Sequence, residues 1–381
     1  MIATSRRRGS SRFPAGALAA GLMAWSALAG ATQEPVSAPK DVPTANAHPM
    51  PGEFRDLVAV SAPKDVPTAN AAAMETPGNV PPVLVTEPWF IGPLLTPSAT
   101  VLEAREISLE PFLSVSSARA DFGPHGRTQS QSDSTSLSLD LSVSIGLTDQ
   151  VTFSTSPQIN VNFTQDAANS AGFADLPLDF QVQLWGERTD WPVHAVSLHV
   201  GEIFPTGAYE NLNSGGDAMG GGSFVTQLGA TGGRLWHLRD EFWLHTLVDI
   251  TGFLGTDVEV RGLNSYGGGL KTRGRVDPGD WIQLQLGTEL SLSQQWAVAL
   301  DLQMVWAGAS TFRPDPLNRP PGLFVEPAAT GAPSSNYLSF APALEYSVNA
   351  SIGIIGGIWF SPVGRNTQKF MTGLISTVWS F

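Results

Sequence analysis

The 381-residue chain has no cysteine, few charged residues and no long apolar run beyond its first thirty residues. Without cysteine, a disulfide scaffold and thiolate metal sites are excluded. Charged residues make up only 14% of the chain and the net charge is −13, which argues against nucleic-acid binding. The longest later apolar stretch, 352–360, is far shorter than the ~20 residues that a membrane-crossing helix needs.

The N-terminus has the pattern of an export signal. Arg6, Arg7, Arg8 and Arg12 precede an apolar run, which ends in small residues suited to cleavage. We therefore predict a signal peptide over residues 1–31.

The next region, 32–100, is rich in proline and alanine, and its segment 36–47 returns unchanged at 60–71. Such a composition cannot bury a core, so a disordered periplasmic linker is predicted. Whether the 12-residue duplication binds a partner or is neutral stays open. Trp89 and Phe90 favour packing of its last part against the rim or the interior of the following domain.

From residue 101 to 381, apolar and polar residues alternate with a period of two, which is typical of strands with unlike faces. The clearest case has isoleucine or leucine at 282, 284, 286, 290 and 292, with polar residues or glycine between them. Twelve segments follow this pattern: 103–118, 134–148, 150–164, 176–187, 192–205, 222–237, 241–254, 280–292, 295–308, 336–348, 350–361 and 370–381.

The connections between these segments alternate between short and long. Short ones are predicted at 148–150, 188–190, 238–240, 293–294 and 349, and long ones at 119–133, 165–175, 206–221, 255–279, 309–335 and 362–369. An even number of strands with short turns at one end is typical of outer-membrane barrels. The sequence thus predicts an all-β, transmembrane, antiparallel up-and-down barrel of about 12 strands in the bacterial outer membrane, in contact with the lipid bilayer and lipopolysaccharide.

Aromatic residues support this interpretation. Tryptophans lie beside the short turns (185, 191, 236, 243, 296 and 379) and aromatics lie near the long loops (Trp281, Trp306, Trp359, Tyr337 and Phe370), so two interfacial girdles are expected. The chain stops in mid-strand at Phe381, which resembles the terminal signal recognised by the barrel-assembly machinery.

Strand parity assigns a polar, acidic face to the lumen. The pore-lining candidates are Asp140, Gln183, His199, Asp249, Gln285, Glu289, Asp301 and Glu345. An acid-lined lumen would pass water and small solutes and favour cations. The alternative is that these residues form a hydrogen-bonded plug, as in small barrels. The proline-rich loop 309–335 is long enough to fold inward and narrow the mouth.

Residues 172–310 contain several turn and strand motifs: Gly172-Phe-Ala-Asp175-Leu176, Phe204-Pro-Thr-Gly207, Gly220-Gly-Gly-Ser-Phe224, Glu289-Leu-Ser-Leu and Trp296-Ala-Val-Ala-Leu. In these motifs the chain resembles the outer-membrane family named for the meta-pathway of phenol degradation, whose members are labelled as transporters. The resemblance implies a barrel that passes small solutes, aromatic or apolar ones among them, and it implies no catalytic residues.

Catalysis is not expected. His194 and Ser197 point to opposite faces of one strand, which precludes a dyad, and the six histidines lack metal-ligand spacing with an acidic third residue. The sequence therefore predicts no enzyme activity, no cofactor and no metal. A structural or surface-interaction barrel remains the alternative, because loop 255–279 carries a basic cluster suited to lipopolysaccharide phosphates: Arg261, Lys271, Arg273 and Arg275.

Overall fold

A computed structural model describes residues 88–164, 169–186, 192–269, 271–315 and 330–381. The predicted signal peptide and the duplicated segment lie outside the described residues. The described chain forms seventeen strands: β1 Ile107–Phe122, β2 Thr128–Thr148, β3 Val151–Thr155, β4 Gln158–Thr164, β5 Ser170–Phe173, β6 Leu176–Trp185, β7 Ala195–Phe204, β8 Val225–Arg239, β9 Phe242–Gly255, β10 Val258–Arg261, β11 Arg273–Asp277, β12 Trp281–Ser291, β13 Trp296–Ala307, β14 Thr311–Pro314, β15 Ser335–Asn349, β16 Ile352–Arg365 and β17 Thr367–Ser380.

The strands close into a barrel because β1 pairs antiparallel with both β2 and β17. Each further barrel strand pairs with its sequence neighbours in the ring. Strands β3 and β4 form one barrel strand that is interrupted at Ser156 and Pro157, where proline lacks an N–H for the ladder. Strands β5 and β6 form another, interrupted at Ala174 and Asp175. The predicted twelve-stranded antiparallel barrel is confirmed.

The two ends of the barrel differ. We call the end with the short turns after β2, β8, β12 and β15 the turn end, and the opposite end the loop end. Phe381 lies at the turn end, where its backbone exchanges hydrogen bonds with Ile107 (2.9 and 3.2 Å) and its side chain is 71% exposed. Within the described ranges, no helix is both long and apolar enough to cross a bilayer.

Strands β10, β11 and β14 form a separate three-stranded sheet at the loop end. This sheet contains most of the predicted basic cluster. Three of its arginines lie close to acids: Arg275 is 3.5 Å from Glu259, Arg273 is 3.4 Å from Asp315 and Arg313 is 3.7 Å from Asp257. Two of the four residues of the predicted basic cluster, Arg273 and Arg275, are therefore paired with neighbouring carboxylates.

Two connections predicted as long loops are short. β1 ends at Phe122 and β2 begins at Thr128, so only residues 123–127 connect these two strands. Asn366 alone separates β16 from β17. The periodicity missed the extension of β2 because its first residues, Thr128 to Gln131, are polar on both faces. Most of the proline-rich part of loop 309–335, residues 316–329, lies outside the described residues, so its predicted inward fold stays a prediction.

The outer face of the barrel is aliphatic and the inner face is polar. Strand β2 shows this best, with Leu139 and Leu141 exposed on the outside and the side chains of Ser138, Asp140 and Ser142 buried on the inside. Side chains of the strands therefore alternate as a barrel in lipid requires.

The predicted girdle at the loop end is wrong for four of its five members. Trp306 faces outward, whereas Trp281, Tyr337, Trp359 and Phe370 are buried in the interior. At the turn end, Trp236, Trp296 and Trp379 are exposed on the outer face, and Trp191 lies outside the described residues.

Candidate functional site in the barrel interior

All eight predicted lumen residues point into the barrel. Gln183 is half-buried near the turn end, and each of the other seven has at most 4% of its surface exposed: Asp140, His199, Asp249, Gln285, Glu289, Asp301 and Glu345. Arg234 on β8 faces outward, and its guanidinium carbon lies 3.6 Å from the ring centre of Trp236. No lysine or arginine is among the buried side chains of the described residues.

The interior is occupied by residues 88–102, which we call the interior segment. Leu94, Leu95 and Leu102 are completely buried, and Phe90 and Ile91 are nearly so. The sequence assigned residues 88–100 to the end of the linker and expected packing against the rim or the interior; they lie in the interior. This segment explains why side chains on the barrel wall are shielded from water.

Acidic wall residues hold the interior segment by its backbone. Ile91 N donates to Glu345 Oε2 (3.1 Å) and Gly92 N donates to Glu289 Oε1 (2.8 Å). Asp301 accepts hydrogen bonds from Leu95 N (3.1 Å), Thr96 N (2.9 Å) and Thr96 Oγ1 (2.7 Å). Together these three carboxyl groups accept five hydrogen bonds from the segment, so they are its main polar anchors.

Amide side chains of the wall bind carbonyl oxygens of the same segment. Gln285 Nε2 donates to Leu95 O (2.8 Å), and Gln181 Nε2 donates to Ser98 O (2.8 Å). Gln181 shares the inner face of β6 with the predicted lumen residue Gln183.

Glycines in the wall make room for the interior segment. A Cβ atom at Gly287 would lie 2.7 Å from Pro93 Cγ, and one at Gly353 would lie 2.5 Å from Ile91 Cδ1. Contacts this short would force the segment or the strand to move. Glycine at these two inward positions therefore fits a wall built around the segment.

A second polar cluster surrounds Asp249. Its carboxyl group accepts hydrogen bonds from Thr231 Oγ1 and Thr251 Oγ1, both 2.8 Å, and lies 3.1 Å from His199 Nε2. Nearer the turn end, His245 Nδ1 lies 2.6 Å from Glu289 Oε2. No group of three potential metal ligands is found in the described part of the chain.

The half of the interior near the loop end is aromatic. The rings of Phe253 and Trp281 stack with centroids 4.6 Å apart, and Phe370 packs edge-on against Trp359 at 4.5 Å. Trp281 Nε1 is buried and has no hydrogen-bond partner among the described residues. These rings form one apolar cluster with leucines of the interior segment: Leu94, Leu95, Phe253, Trp281, Tyr337, Trp359 and Phe370.

At the loop end, Asp175 ties three of the turn motifs together. Its Oδ1 accepts a hydrogen bond from Gly207 N and its Oδ2 accepts one from Gly221 N, both 2.8 Å. A Cβ at Gly220 would lie 2.1 Å from Asp175 Oδ1, so glycine is required there for this close approach. Tyr266 Oη donates to Gly221 O (2.8 Å).

The barrel resembles solved outer-membrane proteins. A COG4313 outer membrane channel from Pseudomonas putida F1 has 16% identity and a TM-score of 0.55, with 74% of this chain and 98% of that chain covered. The KdgM porin has 8% identity and a TM-score of 0.34, covering 71% and 99%. The TodX monoaromatic hydrocarbon channel (a deltaS2 mutant) has 11% identity and a TM-score of 0.32, covering 74% and 89%. No family model and no curated protein matches the chain. The first of these likenesses shows the fold.

Proposed function

We propose that this protein is an outer-membrane channel for passive passage of small solutes. The observation that carries the proposal is the polar, acidic inner wall of a closed barrel whose outer face is aliphatic. Such a wall is suited to water and solutes, and the aliphatic face is suited to lipid. The likeness in fold to the COG4313 channel agrees with this function.

The chemistry of the interior indicates the kind of solute. Buried acids without buried lysine or arginine among the described residues favour cations over anions. The aromatic cluster near the loop end, with the free N–H of Trp281, suits an aromatic or apolar solute that carries a hydrogen-bond acceptor. We also propose kinship with the meta-pathway transporter family, supported by the way Asp175 unites its turn motifs. The contacts predicted with lipopolysaccharide and with the assembly machinery stay predictions.

Single-channel recording in planar bilayers tests the channel. We expect conductance with a higher permeability for K⁺ than for Cl⁻. The double variant Glu289→Ala/Asp301→Ala should lower this ratio because it removes two interior acids, whereas Asp257→Ala, beside the three-stranded sheet at the loop end, should not. Selectivity that is unchanged in the double variant would reject the acid-lined lumen.

A surface-interaction barrel is the second candidate, supported by the three-stranded sheet at the loop end. Most of its arginines are already paired with acids, which weakens the case for phosphate binding. A correctly folded protein that gives no conductance under any condition would favour this candidate over the channel.

A further inference from the structure

We propose that the interior segment, residues 88–102, is a releasable plug that shuts the barrel from the turn end. Whether the segment leaves its site depends only on its contacts with the barrel wall, and not on what the barrel conducts. The claim that release opens a path for solutes rests on the proposed channel function.

Both ends of the segment are fastened at the turn end. Trp89 N donates to Gln294 O (3.0 Å) in the turn after β12, and Leu102 N donates to Thr152 Oγ1 (2.8 Å) beside the turn after β2. Between these points the chain bends at Gly92, whose φ of 99° suits glycine, and Leu94 and Leu95 reach the apolar cluster. The segment is thus an inserted loop that can leave by the end at which it entered, without threading through the barrel or breaking a strand pair.

The wall behind the polar part of the segment is suited to water. The segment is held there chiefly through its own backbone groups, which bind Glu345, Glu289, Asp301 and Gln285. When the segment leaves, water and cations can take over these hydrogen bonds, because carboxyl and amide groups are readily solvated. A permanent core would instead be expected to bury mainly apolar side chains on both sides of the contact.

Two leucines oppose release. Leu94 and Leu95 have no exposed surface, and their burial against the aromatic cluster favours the inserted state. The closed state therefore depends on an apolar tip and on three acidic anchors. Removing an anchor should raise the released population without altering a strand of the barrel.

A disulfide across the contact can lock the plug. A Cβ at Gly353 would lie 3.6 Å from Ile91 Cβ, which is within the range of Cβ separations in disulfides. The chain has no cysteine of its own, so the pair Ile91→Cys/Gly353→Cys would form the only disulfide. Each single cysteine variant, treated with the same oxidant, is the matched control.

In planar bilayers we expect the channel of the double cysteine variant to open when the two cysteines are reduced and to stay closed when they form the disulfide. Its open probability should fall at least tenfold on oxidation. Oxidation of either single variant should have no such effect. Equal conductance in the oxidised and reduced pair would overturn the plug while leaving the channel intact.

Release can be measured without any current. In proteoliposomes, the thiol of Ile91→Cys should react with a maleimide slowly in the otherwise wild-type chain and at least tenfold faster when Asp301→Asn is added. Val260→Cys, buried in the three-stranded outer sheet, should be unaffected by Asp301→Asn. Faster labelling without conductance would support release but reject the channel. Labelling at position 91 that Asp301→Asn does not accelerate would overturn the plug.

Discussion

Replacing Trp359 with alanine is expected to lower the free energy of unfolding by about 3–5 kcal/mol, the range typical of large-to-small changes in a packed core. Trp359 has no exposed surface. Its ring packs edge-on against Phe370 with centroids 4.5 Å apart, and its Nε1 donates to Ser339 Oγ (2.9 Å). Alanine would leave a cavity in the aromatic cluster and a hydroxyl group without this donor.

The matched control is Trp379→Ala, because Trp379 is also a strand tryptophan but is 41% exposed on the outer face. Trp379→Ala should lower the free energy of unfolding by clearly less than Trp359→Ala does. Urea unfolding of the two variants in lipid bilayers, followed by tryptophan fluorescence and by gel mobility before and after heating, gives the comparison. Equal losses would show that the interior aromatic cluster does not stabilise the barrel more than the outer face does.

The fold was predictable because each barrel strand has an apolar environment on one face and a polar interior on the other. A strand between lipid and a polar interior must alternate, so parity alone placed Asp140, Gln285 and Asp301 on the inner face. The first residues of β2, Thr128 to Gln131, have polar side chains on both faces, and there the same signal is lost.

The interior aromatics could have been found by the same parity. Trp281 shares its face with Gln283 and Gln285, and Trp359 shares its face with Ser361. Their nearness to the loop end suggested an interfacial girdle, but position along a strand does not tell which face a residue occupies. Parity decides the face, and it places these rings inside.

The interior segment and the Asp175 contacts were harder to predict because they join distant parts of the chain. Ile91 binds Glu345, which is 254 residues away, and Asp175 binds Gly221, which is 46 residues away. Proline and glycine in residues 88–102 indicate irregular chain but not where that chain lies. The only local signal was the density of large apolar residues, including Trp89 and Phe90, in a segment that was otherwise assigned to a linker.

The second large effect is expected at the polar cluster around Asp249. Asp249→Ala should lower the free energy of unfolding by about 3–5 kcal/mol, because it removes the shared partner of a buried hydrogen-bonded cluster and leaves the other members unsatisfied. The hydroxyl groups of Thr231 and Thr251 would lose their acceptor, and His199 would lose the carboxyl group 3.1 Å from its Nε2. Unfolding in urea measures the loss, and Asp249→Asn, which keeps an acceptor oxygen, should recover part of it.

Asp257→Ala supplies the comparison at an exposed pair. Asp257 lies 3.7 Å from Arg313, whose side chain is 68% exposed, and such surface pairs contribute about 0–1 kcal/mol. High salt should reduce that small contribution further, whereas the loss in Asp249→Ala should be nearly independent of salt because the cluster is shielded from solvent ions. If Asp249→Ala and Asp257→Ala lowered stability equally, the interior near Asp249 would have to be open to water in the folded barrel. Water would then reach Asp249 while residues 88–102 are still in place, without any release of the segment.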